Sequence, residues 1–196
     1  MKQIILASAS PRRVTILRDI GLSFAVDPAS KYIEIHPENH EPATLVEMNA
    51  VGKAREVANR YENAFIIGVD TIGVFEGEIL EKPKDREDAK RMIQMLEGNS
   101  HEVKTAICLI DTASKKELTR IETTKISFLP LSNKEIEAYL DLDESMDKAA
   151  AYAAQGKAAL FIESFEGDYL NVVGLPVALL NQMFKEFDFH LLDVVK

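Results

Sequence analysis

Two short apolar runs decide what this chain can become. Residues 4–7 (Ile-Ile-Leu-Ala) and 64–69 (Ala-Phe-Ile-Ile-Gly-Val) offer no polar face to water. Runs of that length read as strands buried on both sides, which need helices to cover them. The first run leads into Ser8-Ala9-Ser10-Pro11-Arg12-Arg13. Here Ser10 reads as an N-cap and Pro11 as the first helical residue, with Ile16, Leu17 and Ile20 forming the apolar face and Gly21 closing the helix. Two arginines at a helix start are unfavourable by roughly 0.3–1 kcal/mol each, because the helix dipole is positive there. They suit that place if an anion docks on the free N–H groups. On this segment alone, two solvated arginines facing acidic neighbours explain the pattern equally well.

The remaining pattern alternates helices with strands. A strand at residues 24–27 precedes an irregular polar stretch, 28–42. Thr44 and Glu47 read as a capping box for a helix whose Ala50, Ala54, Val57 and Ala58 share one face. The run 64–69 is expected to end at Asp70-Thr71, followed by a hairpin broken at Glu76-Gly77 and stopped by Lys82-Pro83. Asp85 caps a helix carrying Ala89, Met92, Ile93 and Leu96, with Gly98 just beyond its end. Residues 101–111 and 117–129 read as two long strands. A capping box, Ser132 with Glu135, opens a further helix; a strand at 159–165 and a helix at 177–187 close the chain. Together these elements predict an α/β fold with a mixed sheet.

At 196 residues the chain suits one domain, taken as 1–196, with no repeat or linker. A net charge of −9 argues against a nucleic-acid polymer as ligand, but leaves room for a small polyphosphate at a locally basic cleft. The single cysteine, Cys108, sits in an apolar run, excludes an internal disulfide and reads as buried and inert. The apolar stretch at the start is too short for a signal peptide and no run is long enough for a membrane span, so a cytoplasmic location is expected.

Asp70 is the leading candidate for chemistry: an acid at the end of a buried strand stands where α/β sheets place their ligands. An Asp that merely forms an Asx-turn is the competing reading. Lys53 flanks the apolar face of its helix, so its stem would lie over that face with its ammonium toward a cleft. Lys82, beyond the hairpin, and Glu34, in the irregular loop, read on their own as solvated. His36 and His40 have helical spacing, but Pro37 between them works against a helix, and they are set aside as non-functional. His101 and His190 read as ordinary strand or surface residues. No Walker-type loop, zinc spacing or nucleophile elbow is present. The small-residue stretch Asp147-Lys148-Ala149-Ala150-Ala151-Tyr152-Ala153-Ala154-Gln155-Gly156 ends on an amide beside a flexible backbone, suited to reading a pyrimidine edge or to closing a helix.

In chain order, Ser8-Ala9-Ser10-Pro11-Arg12-Arg13, Gly68-Val69-Asp70-Thr71, Lys82-Pro83, His101-Glu102-Val103-Lys104-Thr105, residues 147–156 and Val173-Gly174-Leu175-Pro176 resemble the Maf family of nucleoside triphosphate pyrophosphatases. The fold this implies is a mixed twisted sheet flanked by helices, an inosine-triphosphatase-like two-lobed single domain with a central cleft. The activity implied is hydrolysis of a nucleoside triphosphate between the α and β phosphates, with a divalent cation, Mg²⁺ or Mn²⁺. By the match, Asp70 is the acid–base residue and Arg12, Thr71 and Gln155 tune substrate choice. Ser8, Arg13, Glu34, Lys53 and Lys82 line the phosphate and metal site, with Glu34 and Asp70 toward the metal.

The 147–156 pattern looks like the branch acting on dTTP and UTP rather than on 7-methyl-GTP. Ala150 and Ala153 stand where the family usually has Gly, and Val69 where it usually has Ala. Members are often dimers, and a homodimer is the assembly the resemblance allows. A non-enzymatic nucleotide-binding regulator of septum formation is the alternative that the same residues would serve.

Overall fold

The computed structural model describes residues 2–36 and 40–196. Its frame is a seven-stranded mixed sheet in the order β2-β1-β3-β5-β6-β7, with β4 paired to β3. The strands are β1 (Gln3–Leu6), β2 (Ala25–Val26), β3 (Ala64–Phe75), β4 (Glu78–Leu80), β5 (Ser100–Asp111), β6 (Lys116–Phe128) and β7 (Ile162–Glu166). Only β1 runs parallel to its neighbours, β2 and β3; the remaining pairs are antiparallel. The helices are α1 (Pro11–Asp19), α2 (Pro42–Ala58), α3 (Arg86–Leu96), α4 (Asn133–Leu140), α5 (Tyr169–Val173) and α6 (Val177–Lys185). Among the described residues no helix is long and apolar enough to cross a membrane.

The apolar runs are buried on both sides, as their composition requires. Leu6, Ile67 and Val69 pack with Ile16 and Leu17 of α1 and Leu180 and Phe184 of α6. Ile5 and Ile66 pack on the opposite face, with Val46, Ala50, Ala54 and Val57 of α2. The far ends of β5 and β6 leave that sandwich and build a second lobe with α3 and α4, where Phe128, Tyr139, Tyr152 and Phe161 form an aromatic core. Cys108 is fully buried, and burial pushes its thiol up to about 12, far from the reactive thiolate form.

Several local expectations are corrected. β3 does not end at Asp70 but runs on to Phe75, because the long β5 pairs with it from Phe65 to Val74. The hairpin turn is where it is expected: Glu76 and Gly77 both have positive φ, 50° and 85°, as a two-residue hairpin loop demands. α2 begins at Pro42 with Glu41 before it, so Thr44 lies inside the helix and forms no capping box. Ser10 precedes α1 but its side chain caps nothing; its N–H donates to Ser8 Oγ instead. The strand expected at 24–27 shortens to Ala25–Val26, and the one at 159–165 begins only at Ile162, after a 3₁₀ turn over Lys157–Leu160. Short α5 gave no periodic signal. The caps at Asp85 and at Ser132 with Glu135 form as expected.

Candidate active site

The site grows from a gap in the sheet. β1 pairs with β3 only as far as Leu6 opposite Ile67, with one further bond from Ala7 N–H to the Ile67 carbonyl. β4 begins pairing with β3 only at Gly73. Between them, among the described residues, one edge of β3 has no strand beside it. Its next carbonyl on that edge, Val69, would be left without a donor. Arg13, from the first turn of α1, fills the vacancy: its Nη1 donates to the Val69 carbonyl at 3.1 Å and to Ser8 Oγ at 2.9 Å. Its Nε donates to the Gly174 carbonyl at 2.9 Å and its Nη2 to Thr71 Oγ1 at 3.0 Å. Thr71 Oγ1 shares a hydrogen bond with Thr105 Oγ1, which donates to the carbonyl of buried Asn171. Burial lowers the Arg13 guanidinium to about 10, and the Asp70 carboxylate works against that; the group remains a cation at neutral pH.

The pleat sends alternate residues of β3 to opposite faces. Thr71 therefore points with Val69 toward α1, and Asp70 points with Gly68 toward α2. Gly68 is what lets α2 come close. A Cβ there would lie 2.3 Å from the Ala50 carbonyl and 2.6 Å from the Ala54 methyl. One turn along the helix, Lys53 Nζ reaches Asp70 Oδ1 at 2.7 Å and Glu34 Oε1 at 2.5 Å. The ammonium thus bridges two carboxylates, with 13% of its side chain exposed against 12% for Asp70 and 58% for Glu34.

Burial raises the Asp70 carboxyl above its ordinary value, only partly offset by Lys53 and Arg13. Glu34 moves the other way. Burial works against its charge, but the Lys53 bond, with Lys82 and Arg13 beyond it, holds it below the usual range. No hydrogen bond to Asp70 Oδ2 is made among the described residues.

These groups open on a cleft of about 890 Å³ lined by Ser8, Arg12, Arg13, Glu34, Lys53, Asp70, Thr71, Lys82 and Gln155, the nine residues that the family resemblance assigns to the site. Arg12 is half-buried; Lys82 and Gln155 are exposed on the rim. Among the described residues no ion pair or hydrogen bond occupies Arg12 or Lys82. The two neighbouring arginines therefore differ in kind: Arg13 is bound into the protein and Arg12 is available.

A scan of the chain against protein-family models matches the Maf-like protein family over residues 3–187. The chain belongs to the Maf family. Curated relatives include a dTTP/UTP pyrophosphatase of Dictyoglomus turgidum, 44% identical over 97% of this chain and 99% of the relative. Another, from Pelotomaculum thermopropionicum, carries the same name and is 45% identical over 98% of this chain and 100% of the relative. Among solved structures, the Staphylococcus aureus Ham1 protein shares the fold at a TM-score of 0.53 and 16% identity, covering 95% of this chain and 100% of that one.

The opposite wall of this Maf chain's cleft is the segment 147–156. Tyr152 anchors it, buried beside Phe128 and within 2.7 Å of His101 Nε2 through its hydroxyl. His101 lies on a strand, β5, as expected, but not at the surface: burial lowers it to about 4, so the ring is neutral. Ala150 and Ala151 hold left-handed backbone at φ 57° and 61°, a region that favours glycine. The Ala150 methyl fills the space where Gly73 has no side chain, 3.0 Å from a Cβ built there.

Sequence reasoning named Lys148 only within the 147–156 stretch and gave it no role; it lines the cleft with only 15% of its side chain exposed and pairs with Asp147. That reasoning missed Asn49, buried one turn before Lys53; the i−4 spacing from Lys53 was the one local signal that it could have used. Of the two histidines set aside, His36 lies 3.1 Å from Glu81 through Nδ1; Pro37, invoked between them, falls outside the described residues.

Proposed function

We propose that this chain hydrolyses dTTP and UTP to the nucleoside monophosphate and pyrophosphate, as a single domain acting in the cytoplasm. The observation that carries the reading is Lys53 bridging Glu34 and Asp70 inside a cleft whose rim leaves Arg12 and Lys82 uncommitted. The names borne by the curated relatives support the same substrates. Free cations at the rim and bridged carboxylates at the floor suit a polyphosphate better than a neutral ligand. Arg12 and Lys82 take phosphate oxygens. Arg13, whose charge persists while its donors hold Ser8, Val69, Thr71 and Gly174, keeps the phosphate end of the cleft in shape and contributes field rather than most of the contacts. Gln155, on the opposite rim, reads the base; Thr71 influences choice through its bond to Arg13.

Asp70 is the base. Its Oδ1 is held by Lys53, which leaves Oδ2 to take a proton from water. The water oxygen bonds to the α phosphorus as the bond from that phosphorus to the α–β bridging oxygen breaks. Pyrophosphate leaves with the bonding pair, and Lys53 and Arg12 balance the charge. A carboxyl raised by burial is a stronger base than an ordinary aspartate, which suits that step. Two carboxylates with no third metal-binding side chain among the described residues form an open donor set. Such a set fits a hard divalent cation that completes its shell with phosphate oxygens and water. Bound at Glu34 and Asp70, Mg²⁺ or Mn²⁺ would neutralise phosphate charge.

Turnover of dTTP or UTP in ¹⁸O-water tests the reading. Label is expected in the monophosphate with pyrophosphate unlabelled. Label in pyrophosphate would place attack at the β phosphorus, and nucleotide binding with no release would make the chain a sensor rather than a hydrolase.

A further inference from the structure

Asn49, Gly52 and Lys53 fall at i, i+3 and i+4 on α2 and form one stripe. Each engages the irregular segment 32–35 differently. Asn49 is 4% exposed, and three of the four hydrogen bonds its amide can make are formed. Oδ1 accepts from Ile35 N–H at 2.9 Å and from the Tyr32 hydroxyl at 3.0 Å, while Nδ2 donates to the Ile35 carbonyl at 3.0 Å. Bonding both the N–H and the carbonyl of one residue imitates the exchange between paired strands. Gly52 lacks a side chain where the Tyr32 ring lies; a Cβ would sit 2.1 Å from it. Lys53 then meets Glu34. Glu34 belongs to no helix or strand and its side chain is more than half exposed, so among the described residues its carboxylate is placed through these contacts of its segment.

We propose that Asn49 is a positioning residue for Glu34. By gripping Ile35 on both sides it fixes the neighbouring carboxylate over Lys53 and Asp70, and with it the carboxylate pair presented to a phosphate-bound cation. This rests on the role given to Glu34 above. Asn49→Ala and Glu34→Gln, alone and combined in the full chain, separate positioning from simple loop stability through a double-mutant cycle.

Loss of a residue that orients a ligating carboxylate is expected to lower kcat about 10–100-fold. The Mn²⁺ requirement should rise with it. In the Glu34→Gln background the same change should cost no more than about twofold, since the carboxylate it orients is already gone. Hydrogen exchange at the Ile35 amide should accelerate in Asn49→Ala whatever the activity. Equal losses in both backgrounds, unchanged kcat in Asn49→Ala, or unchanged exchange at Ile35 would each overturn the proposal. Full activity in Glu34→Gln would overturn the role of Glu34 and this proposal with it; a large loss there with additive behaviour of Asn49→Ala would overturn this proposal alone. If Asn49→Ala fails to fold, Tyr32→Phe removes one of the three bonds. A several-fold loss confined to the Glu34 background supports the proposal, and the same loss in both backgrounds overturns it.

Discussion

The two walls of the cleft are built by different physics. The wall formed by α1, α2 and β3 is fixed by charge-assisted hydrogen bonds: four from Arg13 and two carboxylates on Lys53. Such bonds set individual atoms at defined distances. The wall at 147–156 rests on aromatic edge contacts among His101, Phe128, Tyr152 and Phe161, and on left-handed alanines. Ring packing holds a surface in place while leaving its polar edge, here Gln155, exposed. In the proposed reaction, bond breaking occurs against the first wall and base choice against the second. In that reading Thr71, through its bond to Arg13, is the point where the first wall also bears on substrate choice.

The sharpest way to break the first wall is at Gly68. Gly68→Ala drives a methyl into the backbone of α2 and should cost at least about 3 kcal/mol in urea unfolding, since helix backbone cannot yield as a side chain does. Stability close to that of the unaltered chain would mean that α2 is not held as tightly as described. Next comes the contrast between the arginines. Arg13→Lys keeps the charge but loses the fork, and is expected to lose about 2–3 kcal/mol of stability. Arg12→Lys should stay within about 0.5 kcal/mol in the same unfolding assay and reveal itself only as a raised KM.

The second wall gives a smaller effect. Ala150→Gly relieves a left-handed alanine but removes a buried methyl that fills the space over Gly73, so stability should stay within about 1 kcal/mol of the unaltered chain. The freed backbone should also discriminate less between pyrimidine and purine triphosphates, measured as a ratio of kcat/KM values.

Acid separates the walls again. His101 falls from 6.5 to about 4 in the folded chain, so the stability from its neutral ring is complete above 6.5 and is lost as pH drops toward 4. Asp70 is raised from 3.8, so its native state holds a proton more tightly and stability falls as pH rises through the folded value. Unfolding of the chain and of Asp70→Asn compared across pH should show the difference moving in the variant's favour as pH climbs from 3.8. A difference independent of pH would remove the burial effect assigned to Asp70.

Much of the frame was legible because periodicity and caps are local. The two apolar runs, the Glu76-Gly77 hairpin, the Asp85 cap and the Ser132–Glu135 box all depend on neighbours within a few residues. What misled was likewise local reasoning applied to a tertiary fact. Asp70 reads as a strand end because the apolar run stops there, yet β5 carries the strand onward and the gap beside it arises from the ends of other strands. Arg13 and Arg12 look alike in sequence; what distinguishes them is the Val69 carbonyl that no strand reaches among the described residues, together with Ser8, Thr71 and Gly174, all held by Arg13. The Asn49 clamp joins residues far apart in the chain, with helical spacing from Lys53 as its one local trace. Left-handed backbone at Ala150 shows in the sequence only through the family's habitual glycine.

The measurement that bears most directly on the whole is Asp70→Asn, assayed for dTTP affinity by calorimetry and for pyrophosphate release. Loss of a general base is expected to lower kcat by about 10²–10⁴-fold. Because Arg12 and Lys82 still face the cleft, affinity should stay within about threefold, as expected when catalysis rests on more than binding. Turnover retained at more than about a tenth of the original rate would remove Asp70 from the reaction, a loss too small for a general base.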